Sequence, residues 1–336
     1  MHNNSNFPDK LNTAILTRQS QVCVGLDPRL EKLPASLIDR FKEQPRGGCG
    51  CGRHEIGETF FEFGAAIIDA VAPHVVAIKF QLACFEQYGP PGFKAFKHLC
   101  DRASDLGLIV IADAKRGDIG ISAEAYSSAY IGRPQGFEGR MPSLGADAIT
   151  VNPLFGTDGI QPFLDDCRDY GSGIFVLVKT SNPGSAELQD LLVVEPEAGP
   201  GTAQTGPTAS QTGRSVPQSP RKFHEKVAEL VDRWGADLIG ESGYSSVGAV
   251  VGATHPEELA RLRKLLPRTP FLIPGYGAQG ANAADIRAAF DSDGLGALVT
   301  ASRSIIYAGP GEDYAARAAE AAERMRSELW QASRKG

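Results

Sequence analysis

The run Asp113-Ala114-Lys115-Arg116-Gly117-Asp118 sets two carboxylates around two cations, directly after the apolar stretch Leu108-Ile109-Val110-Ile111-Ala112. Side chains alternate faces along a strand, so Asp113 and Lys115 are expected to point the same way. Gly117 frees the backbone to turn, and Asp118 then stands at the start of the next helix. A second lysine, Lys79, interrupts the apolar segment Ala77-Ile78-Lys79-Phe80-Gln81, where burial without a partner costs several kcal/mol. Brought together, Lys79, Asp113, Lys115 and Asp118 make an alternating, charge-neutral cluster that keeps both lysines protonated and both carboxylates ionised. A protonated lysine fixed in this way is suited to general acid chemistry. A purely structural salt-bridge network is the alternative reading of these four residues. Arg116-Gly117-Asp118 also spells an adhesion tripeptide, which fits poorly at the end of a strand.

Eight short apolar runs must position these groups: Gln21–Asp27, Val75–Gln81, Leu108–Lys115, Ala148–Asn152, Gly173–Thr180, Val247–Gly252, Pro270–Gly275 and Ala297–Ala301. Several are dense in Val and Ile without polar alternation, the pattern of strands covered on both faces. Helix-like stretches lie between them, at Phe60–Ala72, Phe93–Leu106, Lys222–Trp234, Pro256–Leu266 and Asn282–Phe290, and Asp313–Ser333 reads as a closing surface helix. Eight alternating β and α units predict an α/β fold of the closed (β/α)₈ TIM-barrel type, in a single domain. An open doubly wound sheet is the structural alternative. In a barrel, Asp113, Lys115 and Lys79 fall at strand C-termini, the rim where catalytic groups gather.

The same rim collects further candidates. Asp27 ends the first run and offers a carboxylate to sugar hydroxyls; Ser181 follows the fifth run in Lys179-Thr180-Ser181-Asn182-Pro183. Gln279 sits in the glycine-rich segment Pro274–Gly280 after the seventh run, and Arg303 follows the eighth. Loops after the last two strands, next to a helix N-terminus, are where barrels commonly hold phosphate, and Arg303 supplies a bidentate fork for it. Each feature is weak alone; together, in register at strand ends, they point to a small phosphorylated substrate.

Composition narrows the field. The chain has 336 residues and a formal net charge of -6, so no general attraction to nucleic acid or anionic membrane is expected. No apolar run approaches the roughly 20 residues of a membrane span, and the polar segment Met1–Lys10 lacks a secretory core. The 6 cysteines are too sparse for a disulfide scaffold, so free thiols in a reducing cytoplasm are expected. Two insertions stand apart. Residues 44–57 contain Cys49, Cys51 and His54, three soft ligands without an evident fourth, so a flexible loop is preferred over zinc. Residues 196–220 are almost all Gly, Pro, Thr, Ser, Gln and Ala, with too little to bury to offset ordering.

With Asp113, Lys115 and Asp118 forming Asp-x-Lys-x-x-Asp, followed by Ile119, the chain resembles the orotidine 5'-phosphate decarboxylase family over most of its length. The segments Asp113–Ile119 and Lys179–Leu191 are most similar to its longer bacterial branch. The resemblance implies a (β/α)₈ barrel, a homodimer, and conversion of orotidine 5'-monophosphate to UMP and CO₂, the last step of de novo UMP synthesis, without metal or organic cofactor. It implies that Lys115 protonates C6, that Asp113 lies beside the substrate carboxylate, and that Lys79 bridges the charge network and the ribose. Asp118 would reach into the neighbouring subunit's site. Asp27 would bind ribose hydroxyls, Ser181 the pyrimidine, and Gln279 and Arg303 the phosphate, with Ile119 and Ser122 as further substrate-binding positions. Ser302 departs from the pattern, since many members carry glycine before the phosphate-binding arginine. Two rivals are a magnesium-dependent sugar-phosphate lyase or decarboxylase of the same suprafamily and a non-catalytic nucleotide-binding barrel. The first usually has an acid at the end of strand two, where this chain has Lys79; the second has no use for the whole charged cluster.

Overall fold

The computed structural model describes residues 6–42, 52–194, 220–254, 256–277 and 282–334. Cys49, Cys51, Gln279 and all of the 196–220 insertion except Pro220 lie outside the described residues. Each of the eight apolar runs forms one strand: β1 (Val22–Leu26), β2 (Ala77–Gln81), β3 (Ile109–Arg116), β4 (Ala148–Val151), β5 (Gly173–Lys179), β6 (Val247–Val251), β7 (Phe271–Pro274) and β8 (Ala297–Ala301). All pair in parallel with their chain neighbours, and β1 closes on β8 to complete the barrel. β1, β4, β6 and β8 are buried at every residue, which is why their sequences show no polar alternation.

Helices Arg53–Val71, Pro90–Asp105, Gly120–Tyr130, Gly156–Tyr170, Phe223–Gly235, Pro256–Leu265 and Tyr314–Ser333 sheathe the strands. The first begins earlier than its apolar periodicity suggests and takes in His54, so the insertion expected over residues 44–57 ends before Arg53. The helix expected over Asn282–Phe290 does not form; turns and a short 3₁₀ segment, Arg287–Ala289, stand there instead. Asn282 Oδ1 accepts the Ala284 and Asp285 backbone N–H groups while its own N–H donates to the Asp285 carboxylate, a capping arrangement that opens the first turn; the chain then tightens into 3₁₀ instead of extending an α-helix.

Two apolar layers result. Outward-facing residues such as Val24, Ile78, Val110 and Val176 pack under the helices. Inward-facing residues such as Cys23, Ala77, Ile111, Ala148, Phe175 and Leu298 fill the lower lumen. The N-terminal helix, Phe7–Arg18, plugs that end with Phe7, Leu11 and Ile15, each worth about 1.5–3 kcal/mol on full burial. The Phe7 ring meets Phe175 edge-on with centroids 5.8 Å apart. A Cβ on Gly173 would lie 2.3 Å from that ring, so the plug requires glycine there. The four described cysteines, Cys23, Cys84, Cys100 and Cys167, are free thiols, and no helix among the described residues is long and apolar enough to cross a membrane.

Candidate active site

At the other end of the barrel the inward-facing residues change from apolar to charged. Lys79 pairs in register with Gly25 and Ile111, and Asp113 lies opposite Gln81. They border a cavity of about 340 Å³ lined by Asp27, Lys79, Gln81, Asp113, Lys115, Thr150, Leu177, Thr180, Ser181, Asn182, Val250, Leu272, Pro274, Gly275, Tyr276, Thr300, Ala301, Ser302 and Arg303. Strands β1, β2, β3, β4, β5, β7 and β8 each deliver a polar group at or just past their C-terminal ends.

Asp113 is the hub. Its Oδ2 accepts from Lys79 Nζ at 2.7 Å and from Gln81 Nε2 at 3.3 Å, and its Oδ1 accepts from Lys115 Nζ at 2.6 Å and from Thr150 Oγ1 at 2.9 Å. Burial alone would push the Asp113 carboxyl up, but the charges of Lys79 and Lys115, with their hydrogen bonds, hold it well below the usual carboxylate range. Burial would likewise strip the proton from Lys79, only 5% exposed, yet Asp113 and Asp27, the latter 3.8 Å away, raise it well above an ordinary lysine. Lys115 differs: its side chain is 45% exposed and faces the open cavity.

The backbone that carries Lys115 is irregular. From Ala112 to Arg116, β3 advances four residues while β4 advances only two, from Ile149 to Val151. The excess is taken up by Lys115, whose φ of 49° puts it in the left-handed region, at a cost of about 1–2 kcal/mol for a non-glycine residue. The turn expected at Gly117 is thus made two residues earlier; Gly117 has ordinary φ, and its missing side chain instead leaves room for Asn152, whose Cβ an added methyl would approach to 3.0 Å. Thr150 and Arg116 brace the strained residue. Thr150 Oγ1 accepts the Lys115 N–H at 2.9 Å. The Arg116 guanidinium pairs with Glu86, donates to Tyr130 and lies over the Tyr126 ring.

Of the residues expected in the site, Asp27, Lys79, Asp113, Lys115, Ser181 and Arg303 line one cavity. Asp118, Ile119 and Ser122 do not: they lie on the loop and first turn of the helix Gly120–Tyr130, where Asp118 accepts its neighbour's N–H at 2.8 Å. The four-residue cluster therefore stands corrected within one chain, with Asp27 rather than Asp118 as the second acid. Thr150 and Gln81 were not anticipated. A threonine in an apolar strand is an ordinary strand former, so only the strand register reveals it. Oδ1 of Asp27 and Oγ1 of Thr300 are buried without hydrogen-bond partners beside the cavity, available to ligand hydroxyls. Ser302 is accommodated because β1 carries Gly25 beneath it; a Cβ there would sit 1.9 Å from the serine hydroxyl. Arg303 begins a helix of 4 residues, too short for a useful dipole, so any anion held there relies on the guanidinium.

Among the described residues, one other group has metal-ligand chemistry. Asp190, His224 and Glu258 bring ligand atoms within 4.8 Å of one another. Lys179 Nζ already contacts both Asp190 oxygens at 2.9 and 2.8 Å, and Lys222 Nζ contacts Glu258 at 2.5 Å. Two ammonium groups thus supply the positive charge a metal would bring.

Comparison with known proteins agrees with this geometry. The family model described as "Orotidine 5'-phosphate decarboxylase / HUMPS family" matches residues 20–319. The chain is 43% identical to the orotidine 5'-phosphate decarboxylase of Rhodopirellula baltica over 94% of its own length and 92% of that protein. It is 41% identical to that of Caldicellulosiruptor bescii, over 90% of each chain. The solved structure of Leishmania donovani OMP decarboxylase superposes with a TM-score of 0.65 at 29% identity, covering 96% of this chain and 99% of that one. A barrel whose β3 ends in Asp113 and Lys115 and whose β2 offers Lys79, with relatives this near over nearly its whole length, belongs to the orotidine 5'-phosphate decarboxylase family of enzymes.

Proposed function

We propose that the protein converts orotidine 5'-monophosphate to UMP and CO₂, as the last step of de novo UMP synthesis in the cytoplasm, with Lys115 as proton donor to C6. The observation that carries this reading is the single carboxylate of Asp113 gripped by both lysines at the cavity. Loss of CO₂ leaves electron density on C6, so the site needs a preorganised positive charge whose attraction grows as that density develops. Asp113, held ionised, has no proton to give. Lys79 is buried between two acids, and giving up its proton would strip Asp27 of its cation and leave Asp113 with Lys115 alone. Lys115 is the ammonium left to deliver one.

Binding follows from the lining. The Asp27 carboxylate and Lys79 suit ribose hydroxyls, Ser181 suits the pyrimidine, and Arg303 suits the phosphate, with Gln279 joining it. Asp113 beside the substrate carboxylate raises the ground state by repulsion. Asp118, Ile119 and Ser122 serve a homodimer in which Asp118 completes the partner's site. The exposed apolar side chains Ile119, Ile121, Leu154 and Phe155 near Asp118 support such a contact. The reaction as written uses no metal or organic cofactor and engages neither nucleic acid nor membrane. The chain acts as one barrel domain with the 196–220 segment as a spacer.

The deciding experiment is decarboxylation of orotidine 5'-monophosphate in excess EDTA, followed by the fall in substrate absorbance. Full activity is expected. No turnover would overturn the assignment, and turnover that returns only with magnesium would favour the sugar-phosphate lyase reading.

A further inference from the structure

Lys179 heads a linked group of charges that the proposed reaction does not use, with Asp190, Lys222, His224 and Glu258 around it. Lys179 is 1% exposed and stands at the end of β5, yet it does not border the cavity. A bulge is responsible: Leu177 lies opposite Val250 but Lys179 lies opposite Val251, so one extra residue in β5 turns Lys179 out of the lumen. The next three residues, Thr180, Ser181 and Asn182, do border the cavity. The chain then leaves through a short turn and returns at Gln189 and Asp190.

These two residues hold both ends of that excursion. Asp190 binds Lys179 Nζ through both oxygens. Gln189 Oε1 accepts the Thr180 N–H at 2.9 Å, and its Nε2 donates to Thr180 Oγ1, also at 2.9 Å. The Thr180 hydroxyl in turn donates to Asn182 at 2.6 Å. From behind, His224 Nδ1 lies 2.9 Å from the Gln189 carbonyl oxygen. On the opposite side Gly252 packs so closely that an added Cβ would fall 2.9 Å from Ser181 Cβ. Ser181 is therefore held between a glycine just past β6 and a two-residue clip. Gln189 itself does not line the cavity.

We propose that Gln189 is a positioning residue for the nucleobase: through Thr180 it fixes Ser181 and Asn182, so that its loss weakens contacts to the base while leaving the phosphate grip intact. The proposal rests on the reading that this cavity takes a pyrimidine nucleotide. It separates two halves of one ligand, because Arg303 and Asp27 come from β8 and β1, across the barrel from the clip.

Binding of UMP and of ribose 5-phosphate to wild-type enzyme and to Gln189→Leu distinguishes this role from a merely structural one. UMP affinity is expected to fall about tenfold, the worth of roughly one hydrogen bond, with ribose 5-phosphate affinity unchanged. The KM for orotidine 5'-monophosphate is expected to rise correspondingly, with kcat altered less. Equal loss for both ligands, or no loss for either, overturns the proposal. If Gln189→Leu does not fold, Gln189→Glu keeps the acceptor for the Thr180 N–H while dropping the donor to its hydroxyl. It carries the same comparison with a smaller drop, about threefold. Wild-type protein that decarboxylates the substrate while Gln189→Leu shows no selective loss sinks this inference alone; wild-type protein that neither decarboxylates the substrate nor binds UMP sinks the cavity reading with it.

Discussion

Thr150→Val tests whether the strained lysine is held in place by its neighbour. Thr150 is 1% exposed, and valine fills nearly the same volume, so no cavity opens. What disappears is one hydroxyl that donates to Asp113 Oδ1 at 2.9 Å and accepts the Lys115 N–H at 2.9 Å. A hydrogen bond to a charged acceptor contributes about 1.5–3 kcal/mol, and the half-buried Lys115 N–H left without its acceptor adds to that loss. Together these exceed the ~1–2 kcal/mol by which left-handed backbone is disfavoured at Lys115, so Lys115 is expected to relax away from its pose over the cavity. If about 2 kcal/mol of the loss falls on the transition state alone, kcat drops roughly thirtyfold. The KM is expected to change by less than about threefold, since phosphate and ribose contacts are untouched, and Tm to fall by a few degrees. Thr150→Ser keeps the hydroxyl and should retain near-normal kcat. The measurement is steady-state decarboxylation beside a thermal melt of each variant. A Thr150→Val enzyme with kcat within twofold of wild type, or a serine variant as impaired as the valine one, refutes the bracing role.

Two further outcomes bear on the assembly and on pH. Mixing Asp118→Ala and Lys115→Ala chains, each inactive alone, should regenerate activity after subunit exchange; none returning after exchange is verified by mass contradicts a shared site. His224 is buried, and burial pushes its pKa down even though the Gln189 carbonyl and the charge of Glu258 partly oppose that. Between its depressed folded value and about 6.5 the unfolded chain binds the proton more readily than the folded one. Its contribution to stability is therefore present above about pH 6.5 and lost as pH falls below. Asp190 and Glu258, which face it, are held below ordinary carboxylates and act at lower pH still. His224→Gln is expected to flatten the decline of Tm between about pH 7 and 5.5; parallel curves for the two proteins would contradict the assignment.

The barrel was legible because its strands are buried on both faces, which leaves a sequence mark that no surface strand carries. Lys79 and Asp113 stood out for the same reason: a charge amid Val and Ile requires compensation. Thr150 left no such mark, and the left-handed turn at Lys115 could not be anticipated when Gly117 stood two residues on. The extra residue in β5 that sends Lys179 out of the lumen is invisible without the facing strand. The stretch after Asn282 misled because its apolar spacing is helical, whereas the capped turn runs into a short 3₁₀ segment. The proposed dimer contact at Asp118 belongs to a surface that one chain leaves open.

The helix Phe7–Arg18 that stoppers the lower lumen has a consequence for traffic. A barrel sealed at its foot has one doorway, so on the proposed reaction the nucleotide enters, and CO₂ and product leave, across the same rim. On that reading the proton that recharges Lys115 comes from that side too, since the cluster of Ile111, Phe175, Leu298 and their apolar neighbours lies below the charged layer. Nothing passes through; turnover is a matter of queueing at a single mouth.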